Sequence, residues 1–246
     1  MKNQYFGDIR DLFKYDLIQN IVTQSEILER CIWVPMLTAN DASSDGERRT
    51  RPKAGWDNLE LNAFIGSYTE GRNERNIAHL RTVRFFREPG FLVFSVQNSG
   101  HLPLPDFDQS SRQSYFRKLN RALGPNSLVF LDPDTGIEPR SGSSERHILL
   151  AEIAGLCSSM DAGSVLMVYQ HHDRKQRLAF FRDVTQRISQ ACDIEPLYVS
   201  DNHIAFFFLP KADSVRHELV GLLRGYTRRY PDIQFGPNRD INARTP

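Results

Sequence analysis

At 246 residues the chain is long enough for one large domain or two small ones. Its 31 Lys and Arg against 30 Asp and Glu leave a net charge of +1, so no overall field argues for a polyanionic partner. Three widely separated cysteines, Cys31, Cys157 and Cys192, argue against a disulfide framework or a Cys-based zinc site, no apolar run approaches the length of a membrane span, and the first residues lack the apolar core of a signal peptide. The expected location is the cytoplasm.

Leu12, Phe13, Leu17, Ile18 and Ile21 recur at helical spacing, with Asp8 or Asp11 placed to cap the start of that helix. The run from Ile32 to Leu37 predicts a strand, irregular near its end because of Pro35. Residues 38–55 are polar and rich in turn formers, and read as a loop or lid insertion. Helices are predicted over 56–68 and 77–86, a strand over 91–96 and an amphipathic helix over about 110–123. Thereafter strands and helices alternate: strand 128–131, helix 145–157, strand 165–169, helix 175–190, strands 197–199 and 204–209, helix 213–229. Only Ser200, Asp201, Asn202 and His203 separate the last two strands, which therefore form a hairpin. The rest implies βαβ units. The predicted fold is a Rossmann-like α/β domain over 1–235, with helices on both faces of a mostly parallel sheet, a C-terminal antiparallel hairpin and a loose tail over 236–246.

Four constellations stand out. The first follows the apolar strand 128–131: Asp132, Pro133, Asp134, Thr135, Gly136, Ile137 and Glu138. Proline ends the ladder, Gly136 allows a positive φ, and the turn gathers carboxylates where open α/β sheets bind ligands. Such carboxylates hold a divalent cation, act as bases, accept hydrogen bonds from a ligand, or simply bond their own turn. The second is Tyr169, Gln170, His171, His172, Asp173 and Arg174. It is predicted to lie between a strand and a helix on the same rim, with at most one histidine facing the site. The third is Asn3, Gln4, Tyr5, Phe6, Gly7 and Asp8 before the first helix, with Lys14 beyond, and the fourth is the segment from Thr38 through Asp41 to Gly46. The latter stands where a nucleotide-binding sheet carries its glycine-rich turn, but has no G-x-G-x-x-G. The arginines behind it, Arg48, Arg49 and Arg51, read as a solvated loop or as phosphate contacts. No G-x-x-x-x-G-K-[ST], H-E-x-x-H or G-x-S-x-G is present, which removes the commonest NTPase, zinc-protease and serine-hydrolase readings.

A strand followed by Asp132-Pro133-Asp134 resembles the strand plus Asp-Pro-Pro-Tyr motif of adenine-N6 methyltransferases, nearest the family that methylates an adenine of large-subunit ribosomal RNA. The segment from Asn3 to Lys14 is similar to that family's aromatic-rich amino terminus, Val165 to Gln170 to its later strand and loop, and Leu197 to Leu209 to its closing hairpin. Asp134 and Thr135 replace the second proline and the base-stacking aromatic, and the segment from Pro35 to Asp41 replaces the glycine-rich cofactor loop. The pairing of Gln-Tyr-Phe-Gly-Asp with Leu-Asp-Pro-Asp-Thr-Gly also resembles a group of microbial proteins, from which no activity follows.

The methyltransferase resemblance implies S-adenosylmethionine as cofactor and nucleic acid as substrate. The candidate catalytic set is then Asp132, Pro133, Asp134, Gln170 and His171, and the candidate cofactor-binding set Tyr5, Gly7, Asp8, Lys14, Thr38 and Asp41, with no resident metal. A second reading is a Mg²⁺-dependent nuclease or phosphohydrolase, with Asp132, Asp134 and Glu138 or Glu152 as ligands and His171 assisting. A third is a non-catalytic binding module on the same fold.

Overall fold

The computed structural model describes residues 2–38, 40, 53–71, 75–88, 90–93, 109–172 and 177–237. Nine strands and six α-helices are described: α1 (Ile9–Gln24), β1 (Arg30–Pro35), α2 (Leu59–Thr69), β2 (Phe91–Val93), α3 (Gln109–Ala122), β3 (Ser127–Asp132), β4 (Gly136–Ile137), β5 (His147–Ile148), α4 (Leu150–Ser159), β6 (Val165–His171), α5 (Arg177–Cys192), β7 (Leu197–Ser200), β8 (Ile204–Pro210), α6 (Asp213–Arg229) and β9 (Gln234–Gly236). Seven strands form one sheet in the order β2-β1-β3-β6-β8-β7-β9, while β4 and β5 form a parallel pair beside it. The pairings β2–β1, β1–β3 and β3–β6 are parallel, and β6–β8, β8–β7 and β7–β9 antiparallel, so five of the seven strands run one way. This is the expected α/β class with its C-terminal hairpin.

Side-chain alternation along the strands builds two cores. Cys31, Trp33, Leu128, Phe130, Met167 and Phe206 face α1, α2 and α6. The residues between them, Ile32, Val34, Val129, Leu131, Val168 and Phe207, face α3, α4 and α5. Burial on both faces explains why β1, β3, β6 and β8 read as unbroken apolar runs rather than alternating ones. Asp16, buried within α1, ties one layer together: it accepts from the Tyr226 hydroxyl on α6 at 2.9 Å and from Asn58, the residue capping α2, at 2.9 Å.

The structure departs from the predicted elements in several places. Residues 77–86 are two 3₁₀ segments, Ile77–Thr82 and Phe85–Arg87, rather than one helix. The helix predicted over 145–157 starts later, as α4, because 147–148 pair with 136–137 to form β4–β5. Two acceptors then hold the start of α4: Glu152 takes the Leu149 N–H at 2.9 Å and Glu138 the Leu150 N–H at 2.8 Å. β6 runs past its predicted end at Tyr169 through Gln170 and His171, which were expected in a loop. β9 was not predicted, and it takes in Gly236, the first residue of the expected loose tail. Most of the insertion 38–55 lies outside the described residues, as do 94–96 at the end of the predicted strand and 238–246 of the tail.

Candidate functional site

The parallel strands β1, β3 and β6 end at one edge, with Pro35 in register with Asp132. The chain leaves β1 for β2 on one side, while β3 lies on the other. The edge between β1 and β3 is therefore a topological switch point, where open α/β sheets form a crevice. The amino-terminal segment and α1 pack over this edge. Between them and the ends of β3 and β6 lies a cleft of about 150 Å³, lined by Lys2, Tyr5, Asp8, Arg10, Asp11, Lys14, Asp132, Pro133, Asp134, Thr135, Arg146, Tyr169 and His171. That volume lies below the usual range for a whole-ligand pocket, so it fits one portion of a larger ligand.

A buried ion cluster forms the floor. The Lys14 ammonium lies 2.8 Å from Asp11 Oδ1 and 3.0 Å from Asp132 Oδ2. It also stands over the rings of Tyr15 and Tyr169, at 5.6 and 5.4 Å from their centroids. Trp33, reaching across from β1, donates its indole N–H to the same Asp132 oxygen at 3.2 Å. Among the described residues none donates to the other oxygen, Oδ1, and Asp132 lines the cleft, so Oδ1 is the acceptor left for a ligand. Burial disfavours the Lys14 charge, but the Asp11 and Asp132 carboxylates outweigh it and hold the ammonium's pKa above its ordinary value.

The acidic turn is held from three sides. The Asp134 carboxylate, itself buried, takes the Arg146 Nε–H at 2.6 Å, with Lys2 Nζ 4.0 Å away. Thr135 donates its N–H to Arg146 O at 3.0 Å and accepts the His171 N–H on its own carbonyl at 2.9 Å. Gln170 closes the underside: its Oε1 takes the Ile137 N–H at 2.8 Å and its Nε2 donates to His171 O at 2.7 Å. Gly136 adopts φ +131°, and a Cβ there would lie 2.6 Å from the Gln170 amide, so both the backbone and the close approach require glycine.

Of the candidate catalytic residues, Asp132, Pro133, Asp134 and His171 line the cleft. Gln170 does not; its amide positions the turn. His172 packs away, its ring 5.0 Å from that of Phe181 and 5.7 Å from that of Phe180, so one histidine of the pair faces the site. Of the candidate cofactor residues, Tyr5, Asp8 and Lys14 line the cleft. Gly7 serves the fold: at φ +77° its N–H goes to Asp11 Oδ2 at 2.8 Å, and a Cβ would lie 2.6 Å from the Tyr68 ring. Thr38 is buried outside the lining, and Asp41 lies outside the described residues, as do Asp173 and Arg174. The carboxylates of the metal reading go to separate partners: Asp132 to Lys14, Asp134 to Arg146, Glu138 to the start of α4, and Glu152 to Arg112 at 2.5 Å. Among the described residues no group of three or more His, Cys, Asp or Glu is arranged to hold a metal ion.

The site also includes residues that the sequence sets did not contain. Arg146 was hidden by its assignment to a helix, and Lys2 and Arg10 sit in segments where charge alone marks nothing. Trp33 had a signal, since it lies on a strand beside the switch point, two residues before Pro35.

Asp8 caps α1 by accepting from the N–H groups of Arg10 and Asp11. Burial, reinforced by the neighbouring Asp11 carboxylate, pushes its pKa from 3.8 up to about 6. A carboxyl whose pKa rises on folding holds its proton more tightly in the folded state. Its stabilising contribution is therefore full below pH 3.8 and is lost as the pH climbs past about 6. Asp8→Asn keeps a capping oxygen without this titration. Melting temperatures across pH 4 to 7 are expected to show the variant gaining on the wild type as pH rises; parallel curves would contradict the assignment.

No protein-family model matches the chain, and no curated protein matches it in sequence. The fold and the cleft define the class: a Rossmann-like α/β protein with a polar site at the carboxyl edge of its sheet. Among the described residues no helix is long and apolar enough to cross a membrane.

Proposed function

We propose that the protein is a diverged S-adenosylmethionine-dependent methyltransferase that acts on an exocyclic amino group of a nucleic-acid base. The observation that carries this reading is Asp132: a buried carboxylate at the switch point, with one oxygen fixed by Lys14 and Trp33 and the other left to the cleft. The placement of the hairpin, with antiparallel β8 inserted between β6 and β7, is in keeping with the resemblance to adenine-N6 methyltransferases.

The donor set suits the cofactor. S-adenosylmethionine carries a carboxylate, an ammonium and a sulfonium, and the cleft offers Arg10 and Lys2 beside Asp8 and Asp134. Tyr5, Asp8 and Arg10 would hold it from the amino-terminal side. When bound, it supplies an electrophilic methyl group. Asp132 Oδ1 accepts an N–H hydrogen bond from the target amine and so orients the nitrogen lone pair for in-line attack. Such a transfer depends more on alignment than on a strong base. Lys14 compensates the Asp132 charge and fixes its rotamer, while Trp33 sets which oxygen faces inward. Pro133 and the Gln170 bridge hold the turn rigid behind it. A base must leave its stack to reach so small a cleft. In place of the usual aromatic, the rings lining the cleft that could contact it are those of Tyr5, Tyr169 and His171.

The test is transfer of tritium from S-adenosyl-[methyl-³H]methionine to RNA or DNA. Label recovered in an N-methylated base after digestion is the expected result. Failure of both nucleic acids to take up label, with the cofactor bound, would favour the binding-module reading, for which the neutralised pairs Asp132–Lys14 and Asp134–Arg146 speak.

A further inference from the structure

On the methyltransferase reading, on which this assignment rests, we infer that a second groove, between α3 and α4, holds nucleotides flanking the target base. One single strand then occupies both the groove and the cleft. The groove encloses about 660 Å³, within the range of ligand sites, and shares no lining residue with the cleft. Phe116 on α3, Leu149 and, on α4, Leu156 give it apolar surface. Gln113, Arg117 and Asn120, four and three positions apart on one face of α3, also line it. All three are exposed, and among the described residues none of their side chains has a hydrogen-bond or ion-pair partner.

Charge points to an anionic occupant. α3 carries Arg112, Arg117, Lys118 and Arg121 and no acidic residue. The one carboxylate lining the groove, Glu152, is neutralised by Arg112, accepting from its Nε at 2.5 Å and its Nη2 at 2.6 Å. Arg117 is left as the net charge of the lining. A nucleotide uses all three kinds of surface: its phosphate meets Arg117, its base lies on the apolar wall, and the base edge bonds the Gln113 and Asn120 amides, which both donate and accept. An acidic peptide would use the charge alone. The groove also adjoins the cleft. Ser143 and Ser144 line the groove and Arg146 lines the cleft, so one loop forms both rims. Ser144 and Arg146 are two positions apart, a span of at most about 7 Å, which one strand crosses readily.

Gly155 supplies the probe. It lies on α4 in the groove wall, and nothing stands within 4 Å of the place a Cβ would take. Leucine there enters the groove without a clash and is a better helix former than glycine. The experiment is fluorescence anisotropy of the full-length protein with labelled single-stranded RNA and DNA of about 12 nucleotides, within the usual site size for single strands. Gly155→Leu is expected to weaken binding of the preferred strand by about 10-fold, the scale of one lost base contact. Arg117→Gln is expected to lower the slope of log affinity against log salt by about 0.7, the value for one phosphate of a single strand. Melting temperatures of both variants are expected to stay at or above that of the wild type. Unchanged affinity in the first variant and an unchanged slope in the second, in a protein that methylates the same strand, would overturn the groove and leave the methyltransferase reading standing. Groove-dependent binding without methyl transfer would support the groove and count against that reading. A wild type that binds neither strand would overturn the groove. Displacement of the strand by polyglutamate as readily as by unlabelled strand would also overturn it, in favour of an acidic protein partner.

Discussion

Lys14→Met is expected to destabilise the protein by about 3–5 kcal/mol, the usual cost of removing one partner from a buried ion pair. Lys14 is almost wholly buried, and its ammonium separates Asp11 from Asp132. Methionine fills most of the same volume, so lost packing contributes little and the unpaired carboxylates contribute most. Burial already holds the Asp11 carboxyl above its ordinary value even with Lys14 lowering it. Without the ammonium, Asp11 takes up a proton more readily, which favours the folded state only at low pH. The variant's deficit is therefore expected to be smaller at pH 5 than at pH 8. Urea denaturation at both values measures it. A deficit below about 1 kcal/mol at pH 8, the range of surface pairs, would mean that water rather than Lys14 solvates these carboxylates.

Asp132→Asn is expected to lower methyl transfer by about 100-fold or more while leaving S-adenosylmethionine affinity nearly unchanged, a loss in the range for deleting a positioned acid–base group. The argument rests on orientation. Lys14 and Trp33 both donate to one Asp132 oxygen. An asparagine must turn its amide oxygen towards those two donors, which leaves its NH₂ group facing the cleft. A donor then meets the donor N–H of the target amine where an acceptor is required. Transfer rates measured beside cofactor affinity separate this from a binding defect. A parallel fall in affinity would place Asp132 in the cofactor site instead.

Where burial dictated the pattern, the fold was legible from sequence. The apolar runs that became β3, β6 and β8 are packed on both faces, and α6 matches its predicted range of 213–229 because its apolar stripe is uninterrupted. The short β4–β5 pair was not legible: its backbone bonds run across residues 135–148, and the residues before Leu150 resemble an ordinary helix start. β9 escaped because three residues carry no period, and its pairing with β7 is a tertiary fact.

The site divides in the same way. A carboxylate closing a buried strand is a local signal, so Asp132 was visible. Its partners were not: Lys14 lies 118 residues away in sequence and Trp33 lies 99 away. Gly7 and Gln170 looked like ligand contacts because glycine at a helix start and an amide at a strand end suit binding and internal support equally. Tyr68 packed against Gly7 and the Ile137 N–H beneath Gln170 decide between those roles.

Calorimetric titration of the wild-type protein with S-adenosylmethionine tests the central claim most directly. The account predicts saturable heat with one site per chain and an affinity between micromolar and millimolar, the range common for enzyme ligands. It also predicts a rise in melting temperature on binding. Absence of both heat and thermal shift at millimolar cofactor would contradict it.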